Sequence, residues 1–212
     1  MWDTIDFHVD LGCGRLKKGR IGVDHFPDPG VNIVCDLDAA YVVDGFVVRG
    51  PVTKFVPDEH KPNGVAAAPP SPFWGDRGLP GGTLRGLPFE DSSIRSIVSH
   101  HCFEHIGEGF VPLMDEVYRV LEPGGILRVI TPLFPSRNAV EDPDHVRYFM
   151  PQTWETFCGF PDNHWHEGFA TPYTSARFEK LAEDHTAVAE GTTPWYEKEG
   201  AREIRVALKA RK

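Results

Sequence analysis

Phe7-His8-Val9-Asp10-Leu11 is a strand pattern that runs straight into Gly12-Cys13-Gly14, and only Arg15–Gly19 separate that turn from a second strand at Arg20–Val23. A glycine turn between two closely spaced β runs restricts the chain to folds whose first two strands lie side by side, and it lets backbone come close to a ligand because no Cβ intervenes. A third short run, Val31–Cys35, follows, and an acid stands at each strand end: Asp10, Asp24 and Asp36. Ser93–Ser99, Ile126–Thr131, His185–Ala189 and Glu203–Leu208 read as further strands bounded by Gly, Pro or Asp. Between them, Leu113, Met114, Val117, Val120 and Leu121 make a helical stripe over Phe110–Leu121, with Pro112 in the first turn and Pro123-Gly124-Gly125 after its end. Thr153–Cys158 and Ser175–Ala182 are further helix candidates. Strands alternating with helices imply an α/β protein with a mostly parallel sheet and helices on both faces.

The 212 residues fit a single domain over 1–212. Gly (21) and Pro (19) are in excess, and Gly50–Pro88 concentrates them, including Ala66–Pro72 and a Phe73-Trp74 pair, with no strand or helix period. We read 50–88 as an insertion within the domain, since long structureless segments in compact domains tend to be lids or insertions. A net charge of −9 argues against a broad nucleic-acid footprint, which needs clustered Lys and Arg. Lys17, Lys18 and Arg20 read as a solvated turn. The four cysteines form no C-x-x-C pair, residues 1–10 show no secretory pattern and no apolar run reaches the ~18 residues of a membrane helix, so a cytoplasmic protein without a membrane partner is expected.

In an open parallel sheet, ligands bind outside the carboxyl ends of the strands. An acid ending the second strand can accept both hydroxyls of a ribose, and one ending the third can accept from an exocyclic amine. Glycine turn, Asp24 and Asp36 together describe an adenosine pocket. Taken singly, each acid is equally an ordinary turn or cap residue.

These motifs resemble class I S-adenosylmethionine-dependent methyltransferases. Asp10-Leu11-Gly12-Cys13-Gly14 is similar to that family's first motif, Ile21-Gly22-Val23-Asp24 to its ribose-binding motif and Cys35-Asp36-Leu37 to its adenine-contacting one. Leu87–Ser93, leading through Ile97-Val98-Ser99 to Glu104-His105-Ile106, resembles the fourth-strand region, and Glu116–Gly125 the helix and turn before the fifth strand. The resemblance implies a Rossmann-like, seven-stranded sheet in which the last strand lies between the fifth and sixth. It also implies S-adenosyl-L-methionine as cofactor, with Asp10, Gly12, Cys13 and Gly14 near its methionine part, Asp24 on the ribose, Asp36 and Leu37 on the adenine, and Ser99 and His100 closing the pocket below the sulfonium. Methyl transfer to an O or N nucleophile of an unidentified acceptor follows, a small molecule rather than a macromolecule. His145 and Tyr148, in the loop after the fifth strand, are the expected proton acceptors. The chain departs from the pattern in its short link to the second strand. The first helix is missing, which exposes one sheet face and predicts a homodimer or an insertion folded over it.

Three rival readings remain. A non-catalytic binding or interaction module would keep the fold without turnover. His101-Cys102-Phe103-Glu104-His105 matches the H-x-x-E-H pattern of zinc metallopeptidases, with Glu141, Asp144 or His145 as a third ligand. That reading leaves the glycine turn unexplained, and we assign no metal. A nicotinamide-dependent oxidoreductase needs a third glycine where Lys17 stands. Trp154, Phe157, Phe160 and Trp165, with His164 and His166, suit either a substrate wall or packing.

Overall fold

The computed structural model describes residues 7–15, 19–28, 30–43, 46–54, 78–79, 83–159, 174–187 and 202–212. β1 (Phe7–Leu11), β2 (Gly19–Asp24), β3 (Ile33–Val43), β4 (Phe46–Lys54), β5 (Gly78–Leu79) and β6 (Thr83–Arg85) precede β7 (Ile94–His100). Then come a 3-10 turn Phe103–His105, α1 (Phe110–Val120), β8 (Leu121–Pro132), α2 (Arg137–Val140), α3 (Pro151–Glu155) with a 3-10 turn Thr156–Cys158, β9 (Phe178–Ala187) and β10 (Arg202–Ala210). All ten strands form one sheet in the order β5-β6-β4-β3-β2-β1-β7-β8-β10-β9.

The stretch β3-β2-β1-β7-β8-β10-β9 is the expected seven-stranded sheet, with the last strand between the fifth and sixth. Its first five strands pair in parallel and its last hairpin is antiparallel. Three further strands extend it beyond β3 through antiparallel pairing. They come from Phe46–Arg85, so the segment 50–88 is not wholly irregular: half of β4 and all of β5 and β6 belong to it. Residues 55–77 and 80–82, including Phe73 and Trp74, lie outside the described residues.

Register sorts the side chains into two unlike faces. Ile21, Val9, Ile97, Leu127 and Leu208 form one row across the sheet, and Val23, Leu11, Ser99, Val129 and Val206 the next. These rows meet Phe110, Leu113, Met114, Val117 and Val120 of α1 and Trp154 of α3 in a single core. The opposite face carries Gly22, Asp10, Val98, Arg128 and Ala207 in one row, which is small and polar where the first is aliphatic. Asp10, Val98, Arg128 and Ala207 are nevertheless buried within the single chain.

β1 and β2 are joined by residues 12–18, and no helix occurs among the described residues there, as the short link required. Where a helix was expected at Ser175–Ala182, Phe178–Ala182 is instead strand, part of β9, and 175–177 lead into it. Its Glu, Lys, Leu and Ala content favours a helix, but nine register pairs along β10 override that weak preference. The segment before it is tied to α1, where Asp115 Oδ1 accepts from Thr174 Oγ1 (2.8 Å) and from the Ser175 (2.8 Å) and Ala176 (3.0 Å) amides. Thr153–Cys158 is helical as expected, continuing α3 into its 3-10 turn.

Phe110 is the hub of the core. Its ring meets Phe103 at 5.7 Å, Phe149 at 5.4 Å, Phe157 at 5.7 Å and Trp154 at 6.3 Å, and Arg147 lies 4.6 Å above it. Truncation to Phe110→Ala should therefore cost about 3–5 kcal/mol. Urea unfolding checks it, with the midpoint falling and the slope unchanged; a loss below about 1 kcal/mol would contradict the assignment.

Candidate functional site

The parallel strands present their carboxyl ends together: Leu11 is level with Val23 and Ser99, and the glycine turn follows immediately. Gly12 and Gly14 both take left-handed backbone, at φ 71° and 49°. They serve different neighbours. A Cβ on Gly12 would overlap Cys102, so this glycine admits the chain that follows β7 rather than a ligand. Among the described residues, a Cβ on Gly14 would meet nothing within 4 Å, which leaves space beside the turn. The Gly12 amide bonds back to Val23 O (2.8 Å), and Cys13, buried, shares that carbonyl at 3.3 Å.

Asp24 is the last residue of β2 and faces the turn: its Oδ2 accepts from the Gly14 amide at 2.8 Å and its Oδ1 from the Phe26 amide at 3.2 Å. A carboxylate has about four lone-pair sites, so two remain for hydroxyl donors. Asp36 is not past a strand end, because β3 runs on to Val43. It stands just beyond the point where β3 stops pairing with β2, at Val34, and turns to pair with β4. Its Oδ1 accepts from the Asp38 amide (3.1 Å), and Leu37 is part of the core. Asp38, which sequence reasoning passed over, accepts from the Gly107 (2.9 Å) and Gly109 (2.5 Å) amides and so fixes the entry to α1 against β3.

At the end of β7, Ser99 is fully buried on the core face, and His100 ends the strand. His101 then takes a left-handed backbone, φ 51°. Its ring is clamped: Nδ1 lies 3.0 Å from Glu104 Oε1 and Nε2 2.9 Å from Glu203 Oε1, and Arg205 donates to the other Glu203 oxygen at 3.1 Å. Burial opposes charge on His101, but the two carboxylates outweigh it and raise its pKa to about 9. Burial likewise opposes charge on Glu203, yet His101 and Arg205 bring its pKa down to about 2. The Cys102 thiol is pushed up by burial first, then by the charges of Glu104, Asp24 and Asp10, so it packs rather than reacts. Neither Cys102 nor Glu203 was singled out as a partner of the site in the sequence. Only the fold brings them there, from positions 90 and 191 residues past Gly12.

The H-x-x-E-H pattern does not lie on one helix turn, as a zinc peptidase would need. His101 precedes the short 3-10 turn, and both its nitrogens face carboxylates. Beyond β8, His145 donates Nδ1–H to Ala139 O at 3.2 Å and packs its ring on His105 at 4.9 Å. Tyr148 is half exposed on Phe134, and the structure does not bring it to His145. Glu141 pairs with Arg137. Phe160, His164, Trp165, His166, Lys17 and Lys18 lie outside the described residues, while Trp154 and Phe157 are core.

Residues 78–129 match a family model described as a methyltransferase domain. That segment, 52 of the 212 residues, is similar to a methyltransferase domain. The matched segment holds β5 to β7, α1 and most of β8, and it is braced from within. Arg119 donates to Leu87 O (3.0 Å), Phe89 O (2.9 Å) and Asp91 (2.7 Å), and Glu116 accepts the Leu87 amide at 2.9 Å. Solved structures similar to the chain include an S-adenosylmethionine-dependent methyltransferase from Archaeoglobus fulgidus (12% identity, 98% of this chain and 87% of that one, TM-score 0.48). The YcgJ protein from Bacillus subtilis is another (16%, 98% and 93%, 0.47), as is an S-adenosylmethionine-dependent methyltransferase from Mesorhizobium loti (14%, 99% and 93%, 0.45). No curated protein matches the chain.

The His101 clamp has a pH signature. His101, raised from 6.5, contributes stability that is complete below pH 6.5 and fades as pH rises toward 9. Glu203, lowered from 4.5, contributes stability that is complete above pH 4.5 and fades toward 2. Stability should plateau between pH 4.5 and 6.5. In His101→Gln the alkaline fall should flatten in denaturant melts taken across pH; an unchanged alkaline slope would assign it to other groups.

Proposed function

We propose that this chain transfers a methyl group from S-adenosylmethionine to an O or N nucleophile of a small-molecule acceptor, as a single domain over 1–212. The observation that carries the reading is the bond between the Gly14 amide and Asp24 Oδ2, 2.8 Å, at the carboxyl ends of β1 and β2. It sets a carboxylate with spare lone pairs beside a glycine that, among the described residues, has space where a Cβ would be. That arrangement fits the cofactor: Asp24 would hold the ribose hydroxyls, Asp36 and Leu37 the adenine, and Gly14 with Cys13 and Asp10 the methionine portion, with His100 beneath it, while Gly12, closed by Cys102, and Ser99, buried on the core face, would support the site from behind. Bound there, S-adenosylmethionine supplies a methyl group already activated by its sulfonium.

The protein's part is then positional. Residues at the ends of β7 and β8 hold the nucleophile in line and exclude water, an entropic contribution that needs few dedicated catalytic groups. His145 is the better proton acceptor of the two, since donation of its Nδ1–H to Ala139 O leaves Nε2 with the lone pair. No helix among the described residues is long and apolar enough to cross a membrane.

A second reading, binding without turnover, draws support from the seven-residue link 12–18, too short for a helical crossover, with no helix N-terminus at the site among the described residues. Calorimetric titration with S-adenosylhomocysteine should show one site, with no binding of a nicotinamide dinucleotide. Asp24→Ala should weaken it about tenfold or more, the loss of hydrogen bonds to a charged acceptor being worth about 1.5–3 kcal/mol. Unchanged affinity in a folded Asp24→Ala would overturn the ribose assignment. Binding with no product across an acceptor screen would favour the second reading.

A further inference from the structure

Three side chains that approach one another where the loop after β8 meets the turn after β7 have the composition of a metal centre. Glu104, His105 and His145 each offer a ligand atom, and these atoms lie within 4.8 Å of one another. Backbone bonds build the convergence. The Val146 and Arg147 amides both donate to Glu104 O at 3.0 Å, and Arg147 reaches back to Ile106 O at 3.0 Å and to Gly107 O. The loop after β8 is thereby held against the turn after β7.

The protonation pattern suits a cation. His105 Nδ1 lies 3.1 Å from Asp144 O, and His145 Nδ1 3.2 Å from Ala139 O. A carbonyl only accepts, so both rings carry hydrogen on Nδ1 and leave Nε2 as the free lone pair. Metal-bound histidines commonly hold their second nitrogen in this way. Glu104 is 1% exposed, and its Oε2 is buried with no hydrogen-bond partner among the described residues. An uncompensated carboxylate oxygen in that setting is costly, and a cation satisfies it. Its other oxygen is held by His101, which is itself held by Glu203. Asp142 Oδ2 stands 3.8 Å from His145 Nε2, and His105 is exposed, so the group is open to solvent on one side.

We propose that Glu104, His105 and His145 bind a zinc-type divalent cation, with one coordination position left open toward solvent. Two imidazoles and one carboxylate suit zinc and its neighbours in the transition series better than magnesium or calcium. His101, half of the H-x-x-E-H pair, is not a ligand but the outer support of Glu104. An ion here takes the His145 lone pair, so proton acceptance by His145 belongs to the metal-free protein. The site stands on its own geometry and does not rest on the methyl-transfer reading.

The test is a zinc titration of the full chain after treatment with chelator, followed by metal analysis of the protein recovered by gel filtration. One equivalent retained is expected. His105→Ala, at an exposed position, and His145→Ala should each weaken binding about tenfold or more, since loss of a mere outer partner already costs about 10–100-fold. His185→Ala, at an exposed histidine on β9, should bind like the unaltered protein. Cobalt substituted for zinc should give a visible absorption band that His105→Ala abolishes. No retained zinc, or binding and a cobalt band unchanged in a folded His105→Ala, would overturn the proposal. If His145→Ala does not fold, His105→Ala decides alone.

Discussion

The link between β1 and β2 governs the rest of the molecule. The two strands are parallel with Phe7 opposite Gly19, so residues 12–18 must carry the chain back along the whole of β1. That is about 13 Å of strand, against a reach of roughly 26–29 Å for the eight steps from Leu11 to Gly19. A helical crossover takes about a dozen residues or more. Seven residues of helix would rise only about 10 Å and leave none for the turns. The link is too short for a helical crossover, and the glycines at its start follow from the sharp reversal after β1.

The two faces of the sheet differ. The face opposite α1 carries a mixed row, Gly22, Asp10, Val98, Arg128 and Ala207, where the other face has Ile21, Val9, Ile97, Leu127 and Leu208. The core is gathered on one side, under α1 and α3, and centred on Phe110. Two devices then tie the carboxyl ends of the strands together: Cys102 seated against Gly12, and Asp38 holding the Gly107 and Gly109 amides. The proposed ligand site lies at these ties.

Much of this was legible in the sequence because it is local. Gly12-Cys13-Gly14 after a β run, the stripe from Phe110 to Val120 and the acid ending β2 are each written within a few consecutive residues. What was not legible depends on distant partners. Ser175–Ala182 has the composition of a helix, and Phe178–Ala182 becomes strand only because β10 offers an edge. Asp36 lies inside a strand because residues beyond Phe46 fold back to pair with it. Glu203 reaches His101 across more than a hundred residues, and no spacing rule announces it. The histidine pattern at 101–105 was visible, but its division of labour, with His101 supporting and Glu104 facing His105 and His145, follows from a left-handed residue at His101 that the sequence does not advertise.

The central claim is that the turn at Gly12–Gly14, together with Asp24 and Asp36, is the place where an adenosyl ligand binds. Hydrogen exchange of the full chain, followed by mass spectrometry with and without S-adenosylhomocysteine, addresses it most directly. The account predicts slowed exchange in the segments around 11–15, 24–28 and 36–38, with little change along β9 and β10. Protection confined to other segments, or none at saturating ligand, would contradict it.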